Sequence, residues 1–157
     1  MILIDNTILS NFALAGESLL LKDYCKGRGA TTGYVIAEFE RGVKERIFLD
    51  IKLDWLKRLN LENRKEESLF ATLIKRLGAG EASCLAIAVH RRYDLLTDDM
   101  AVRKIALREG VRLSGSIGIL LELIRLKRIN LEMGNKILKT FIGYGYFSPV
   151  SRLDDFL

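Results

Sequence analysis

Short apolar runs alternating with segments of helical spacing predict an α/β fold, a three-layer arrangement in which a parallel sheet of about five strands is covered by helices on both faces. Three observations carry that reading. The chain opens on an apolar run that stops abruptly at an acid, Met1-Ile-Leu-Ile-Asp5. Two further short runs, Ala30-Thr31-Thr32 and Leu95-Leu96-Thr97, are each followed by a helix-length segment. With 157 residues, 49% of them hydrophobic, the chain makes one domain over 1–157 that can bury a core without staples. Its core spans about 1–118, and a helical extension occupies about 117–157.

Taken in order, residues 1–4 form a buried strand and 7–15 the helix after it. Residues 19–25 make a second short helix closed by Gly27-Arg-Gly29, and Ala30-Thr31-Thr32 is the next strand. From Gly33 to Arg46, apolar residues at Tyr34, Ile36, Ala37, Val43 and Ile47 keep near-helical spacing, which puts Glu38 early in a helix starting at a strand's end. Residues 55–61 read as a strand, and Glu62 to Lys65 opens a helix carrying Leu69, Phe70, Leu73, Ile74 and Leu77. Gly78-Ala-Gly80 punctuates, and the long apolar helix that follows has Glu81 in its first turn. Leu95-Leu96-Thr97 is a strand broken by Asp98-Asp99; a helix over 101–108 is stopped by Gly110, and 111–113 is the last strand. In the extension, 117–126 is a strongly apolar helix, Asn130 caps a helix through Phe141, and Ser148-Pro149 supplies the cap and first position of a third up to Leu157.

The net charge of +5 is carried by small basic clusters such as Arg41/Lys44/Arg46 and Arg125/Lys127/Arg128, a surface that favours a polyanion and equally describes solvated helix faces. Cys25 and Cys84 have neither zinc-site spacing nor the density of a disulfide scaffold, so both are expected reduced and buried. No apolar run reaches the roughly 18 residues of a membrane span, and the N-terminus shows no basic segment with a cleavage site. The expectation is a cytoplasmic protein with no membrane association.

Several chemistries are excluded. Gly78-Ala-Gly80 lacks the Lys-Ser/Thr of a phosphate-cradling loop. Asp5-Asn6-Thr7 lacks the second acid of haloacid-type phosphatases, and neither an acidic pair at the first strand nor a lysine at the last supports a receiver domain. His90, the one histidine, sits late in a helix where the helix dipole explains it. The aromatic residues are scattered, with no stacking platform visible.

What remains is a set of acids. Asp5 and the Asp98-Asp99 pair directly follow strands, while Glu38 and Glu81 lie near helix starts that a parallel sheet brings to the same rim. Each has a purely structural reading: Asp5, Asp98 and Asp99 as helix caps, Glu38 and Glu81 as first-turn acids complementing a helix dipole. Carboxylates gathered at one rim, however, need protons or a cation to coexist, and hard divalent ions such as magnesium or manganese take oxygen ligands. The chemistry that follows is water attacking a phosphodiester beside the metal, with the basic surface holding the nucleic acid.

Four segments carry a resemblance. Leu3-Ile-Asp5-Asn-Thr-Ile-Leu9, Val35-Ile-Ala-Glu38-Phe-Glu-Arg-Gly42, Leu77-Gly-Ala-Gly-Glu81-Ala-Ser-Cys-Leu-Ala86 and Leu95-Leu-Thr97-Asp-Asp-Met100 stand in order across residues 1 to about 118. In this the sequence resembles the PIN-domain ribonucleases, especially the small VapC-like toxins and their archaeal and bacterial relatives. The resemblance implies a parallel sheet with the first strand central and a Mg2+ or Mn2+ site built by Asp5, Glu38, Glu81 and either Asp98 or Asp99, the Thr-x-Asp alignment pointing to Asp99. It implies a prokaryotic endoribonuclease that hydrolyses RNA with metal-activated water, or else a catalytically weak or inactive RNA- or protein-binding module. Asn6, Thr7 and Thr97 are candidates for holding water or steering the acids. An antitoxin protein is the partner the toxin relatives imply, and the apolar segment 117–126 suggests a homodimer. The sequence departs from the family in carrying Glu81 where Asp is common, and in its helical extension.

Overall fold

The computed structural model describes residues 1–45 and 51–157. Five strands, β1 (Ile2–Ile4), β2 (Gly29–Thr32), β3 (Lys57–Leu59), β4 (Asp94–Leu96) and β5 (Leu113–Ser114), form one parallel sheet in the order β3-β2-β1-β4-β5. The first strand is central, as expected. Its three residues are buried, and this is why they read as an unbroken apolar run rather than an alternating one.

Helices flank the sheet: α1 (Asn6–Leu14), α2 (Ser18–Cys25), α3 (Gly33–Lys44), α4 (Arg64–Leu73), α5 (Ala79–Arg91), α6 (Met100–Arg108), α7 (Ser116–Arg125) and α8 (Leu131–Gly143). Four of the connections that matter here are fixed by side-chain caps. Asp5 caps α1, Thr32 caps α3, Asn63 caps α4 and Asp99 caps α6, each accepting backbone N–H groups that the first turn would otherwise leave unpaired. Three of these caps stand just beyond or at strand ends, so the polar atoms of the fold converge on one rim of the sheet. Asn130 caps α8 as its sequence predicts.

One continuous hydrophobic core joins the sheet to the extension: Leu3, Ile4, Phe12 and Leu85 pack in the same cluster as Leu120, Leu123, Phe141 and Leu153. Phe12 meets Phe141 edge to face with ring centroids 5.0 Å apart. Both cysteines are free and buried, and burial pushes both thiols up, the Cys25 thiol to about 12. Among the described residues no helix is long and apolar enough to cross a membrane.

Several expectations change. The helix expected through Leu77 ends at Leu73, because the N–H groups of Arg76 and Leu77 both turn back to the Leu73 carbonyl and carry the chain towards Gly78. The last strand lies at Leu113–Ser114 rather than 111–113: Gly110 adopts φ +72° and the Val111 N–H closes onto the Ala106 carbonyl, so Val111 belongs to the turn. The end expected for the third helix, Arg46, and the apolar position Ile47 lie outside the described residues. No α-helix runs from Ser148 to Leu157. Ser148 closes a tight turn on Val150, and the Asn135 side chain accepts the Leu153 N–H at 2.7 Å, leaving a single 3-10 turn at Leu153–Phe156. Finally, the apolar face of α7 is spent inside the chain: Ile119, Leu120 and Leu123 are fully buried in the core, which removes the observation that suggested a homodimer.

Candidate metal centre

Asp5 is tightly constrained. It is fully buried at the carboxyl end of β1, its Oδ1 accepts the Thr7 N–H at 2.9 Å, the Ile8 N–H at 3.4 Å and the Thr7 hydroxyl, and its Oδ2 accepts the Thr97 hydroxyl. Burial raises its carboxyl to about 6 against the lowering effect of those hydrogen bonds. The two threonines in turn grip the neighbouring strand end: the Thr7 hydroxyl accepts the Asp98 N–H at 2.9 Å, and the Thr97 hydroxyl accepts the Asp99 N–H at 3.1 Å. Thr7 and Thr97 therefore lock Asp5 against the end of β4, whichever role Asp5 plays. Cap and candidate ligand are the same side chain.

The two adjacent aspartates face different duties. Both oxygens of Asp98 are engaged, Oδ1 by the Ser116 N–H at 2.8 Å and Oδ2 by the Ser116 hydroxyl and the Asn11 amide at 2.9 Å, which ties β4 to the second half of α1 and the start of α7. Burial holds its carboxyl above the ordinary range. Asp99 uses Oδ1 to cap Val102 at 2.9 Å, and its charge reaches Glu81.

Glu81, in the first turn of α5, is held up to about 7, first by burial and then by the charges of Asp99, Asp5 and Glu38. Glu38 is fixed by its Oε1 accepting the Gly80 N–H at 3.0 Å. A β-carbon on Gly80 would stand 2.5 Å from that oxygen, so glycine is what allows the approach. Glu38, Glu81, Asp98 and Asp99 line one cavity of about 540 Å³, with Asn6, Thr7 and Asn11 on the α1 side. The sequence-predicted acids thus meet at one cleft, with Asp5 buried beneath it. Among the described residues, no group of three or more His, Cys, Asp or Glu side chains is arranged so that it could hold a metal ion as it stands.

Do these residues suit a hard divalent cation? The donors are all oxygens, and burial first, then the charges of three other carboxylates, raise Glu81 to about 7; a cation relieves the repulsive part. Asn6 Oδ1 is buried without a hydrogen-bond partner among the described residues, an acceptor left open at the same cleft. The residue chemistry fits.

Sequence reasoning missed part of this wall. Asn11 lies one helical turn beyond Thr7 on α1, and that i, i+4 spacing was the available signal. Tyr144, Tyr146 and Phe147 from the end of α8 and beyond also line the cleft, so the aromatic residues that look scattered along the chain are partly assembled in space. Only the packing of α8 on α1 brings them there.

No curated protein and no solved structure matches the chain significantly. A family model described as a PIN domain, DUF3368, matches residues 1–157, and the chain belongs to that PIN-domain family.

Proposed function

We propose that this protein is a metal-dependent endoribonuclease, with Asp5, Glu38, Glu81 and Asp99 as the acids that would hold Mg2+ or Mn2+. The observation that carries the reading is the convergence of acids: Glu38, Glu81, Asp98 and Asp99 line one cleft beside the buried Asp5 in a protein whose net charge is +5, a gathering of carboxylates that favours a bound cation. Of the adjacent pair, Asp98 has both oxygens in hydrogen bonds that tie β4 to α1 and α7, whereas Asp99 caps its helix through Oδ1 alone, which favours Asp99 over Asp98.

A bound divalent ion would supply activation of a water molecule and neutralisation of charge on the phosphodiester. The chain's own residues supply the rest. Thr7 and Thr97 hold the Asp5 carboxylate in one orientation, and the Gly80 N–H does the same for Glu38. Glu81, raised to about 7 in the metal-free protein by burial and by its acid neighbours, would give up its proton to hold the cation. Basic side chains outside the cleft offset the repulsion between these acids and an RNA backbone.

Incubating purified protein with RNA and manganese tests the reading, with Asp5→Asn as the matched control. Cleavage by the wild type that drops at least a hundredfold in the variant supports it; equal cleavage by both proteins overturns it.

A second reading is an RNA-binding module of the same fold without catalysis. What favours it is that, among the described residues, no three His, Cys, Asp or Glu side chains are arranged so that they could hold a metal ion as they stand. Manganese titration discriminates: a folded wild type that takes up no manganese at millimolar concentration selects the binding module.

A further inference from the structure

The acid cleft has a neighbour on the same rim of the sheet. A cavity of about 480 Å³ lies over the ends of β2 and β3, lined by Gly33, Tyr34, Arg58, Asn60 and Glu67 among others. One turn of α3 divides the two: Tyr34 and Ala37 line this cavity and Glu38 lines the acid cleft. With neighbouring strands about 4.8 Å apart, β2 and β3 lie roughly 5–10 Å from β1, the strand that presents Asp5.

Two side chains give the cavity its character. The Tyr34 ring is stacked on Phe70, centroids 5.2 Å apart and planes 28° from parallel, which fixes the ring while the residue stays 46% exposed. Arg58 is exposed and makes no hydrogen bond or ion pair among the described residues. Its guanidinium lies directly across Gly33, where a β-carbon would stand 2.6 Å from Nη2. A preset aromatic surface beside an uncommitted guanidinium is the pairing that takes a base by stacking and its phosphate by charge-assisted hydrogen bonds. Asn60 and Glu67 add polar groups for the base edge.

We propose that Tyr34 and Arg58 form a nucleotide subsite that holds RNA beside the acid cleft, Tyr34 stacking an unpaired base and Arg58 binding the adjoining phosphate. The inference rests on the RNA reading above and names where along the rim the strand is held. Because the stacked base must be free of a partner, the subsite takes single-stranded RNA.

The test is binding of a short fluorescently labelled single-stranded RNA of mixed sequence, measured by anisotropy in EDTA so that cleavage does not intervene. Tyr34→Ala and Arg58→Ala each weaken binding on the order of tenfold, and Tyr34→Phe keeps wild-type affinity because the stacking ring survives. Gly33→Ala weakens binding with no fall in Tm, since its methyl group displaces only the mobile end of Arg58. The same RNA annealed to its complement binds more weakly than the single strand. If the wild type binds the single strand and both alanine variants bind it equally well, the subsite is wrong and the RNA reading survives. If the folded wild type binds no RNA, both fall together.

Discussion

Glu38 Oε1 accepts the amide hydrogen of Gly80 at 3.0 Å, and this contact joins the third helix to the start of the fifth across a position where no β-carbon fits. The consequence is a separation of stability from function. Alanine at position 80 improves helix propensity by up to about 1 kcal/mol, yet it pushes the Glu38 carboxylate aside. Gly80→Ala is expected to keep its Tm within a few degrees while manganese affinity falls about tenfold, read by thermal melting and calorimetry on the same sample.

Thr97 offers a second separation. Its hydroxyl donates to Asp5 Oδ2 and accepts the Asp99 N–H, so Thr97→Val preserves shape and removes both bonds. One buried acceptor and one backbone donor lose their partner, at a cost of about 1–3 kcal/mol. Chemical denaturation should show that loss, and manganese affinity should fall with it; a variant as stable as the wild type would mean that Asp5 is held by other groups.

Without metal, stability should decline as pH rises. Burial raises Asp5 to about 6 and, with its acid neighbours, Glu81 to about 7 in the folded chain, above the ordinary 3.8 and 4.5. The folded state therefore binds more protons than the unfolded state between those limits, and stability falls as pH climbs through 6 and 7, then levels off. In EDTA, Tm should drop from pH 5 to pH 8; manganese at pH 8 should raise it again because the cation binds only the folded form. Glu81→Gln should flatten the pH dependence. A slope unchanged by that substitution contradicts the coupling.

Away from the cleft, Glu66 is buried and Arg91 grips it with two hydrogen bonds of 2.9 and 2.8 Å while also donating to the Asn60 carbonyl. The pair clamps the fourth helix to the fifth, whose first turn carries Glu81. Arg91→Ala leaves a carboxylate buried without its partner and should cost about 2 kcal/mol in denaturant unfolding. A change below about 0.5 kcal/mol would show that the clamp is redundant.

How far the sequence announces all this depends on the range of the interactions. Met1 to Asp5 is legible because a strand buried on both faces must be continuously apolar and must end on something polar at the rim. Asp99 and Asn130 are legible as caps because capping is a local contact between residues three apart. The separation of Asp98 from Asp99 is not, since it depends on Ser116 and Asn11, which reach Asp98 from 18 and 87 residues away. Ser148-Pro149 misleads for the same reason: it has the form of a helix start, and the distant Asn135 side chain settles the matter by taking the Leu153 N–H. The aromatic wall of the cleft likewise exists only because the eighth helix packs on the first.

We propose that the acids at the ends of the first and fourth strands form a metal centre with Glu38 and Glu81. Its most direct test is the anomalous difference map of a crystal soaked in manganese. The account predicts a peak in contact with Asp5 or Asp99 and within reach of Glu81, with Asp98 still bound to Ser116. Fully occupied manganese elsewhere, with this cleft free of any peak, would contradict it.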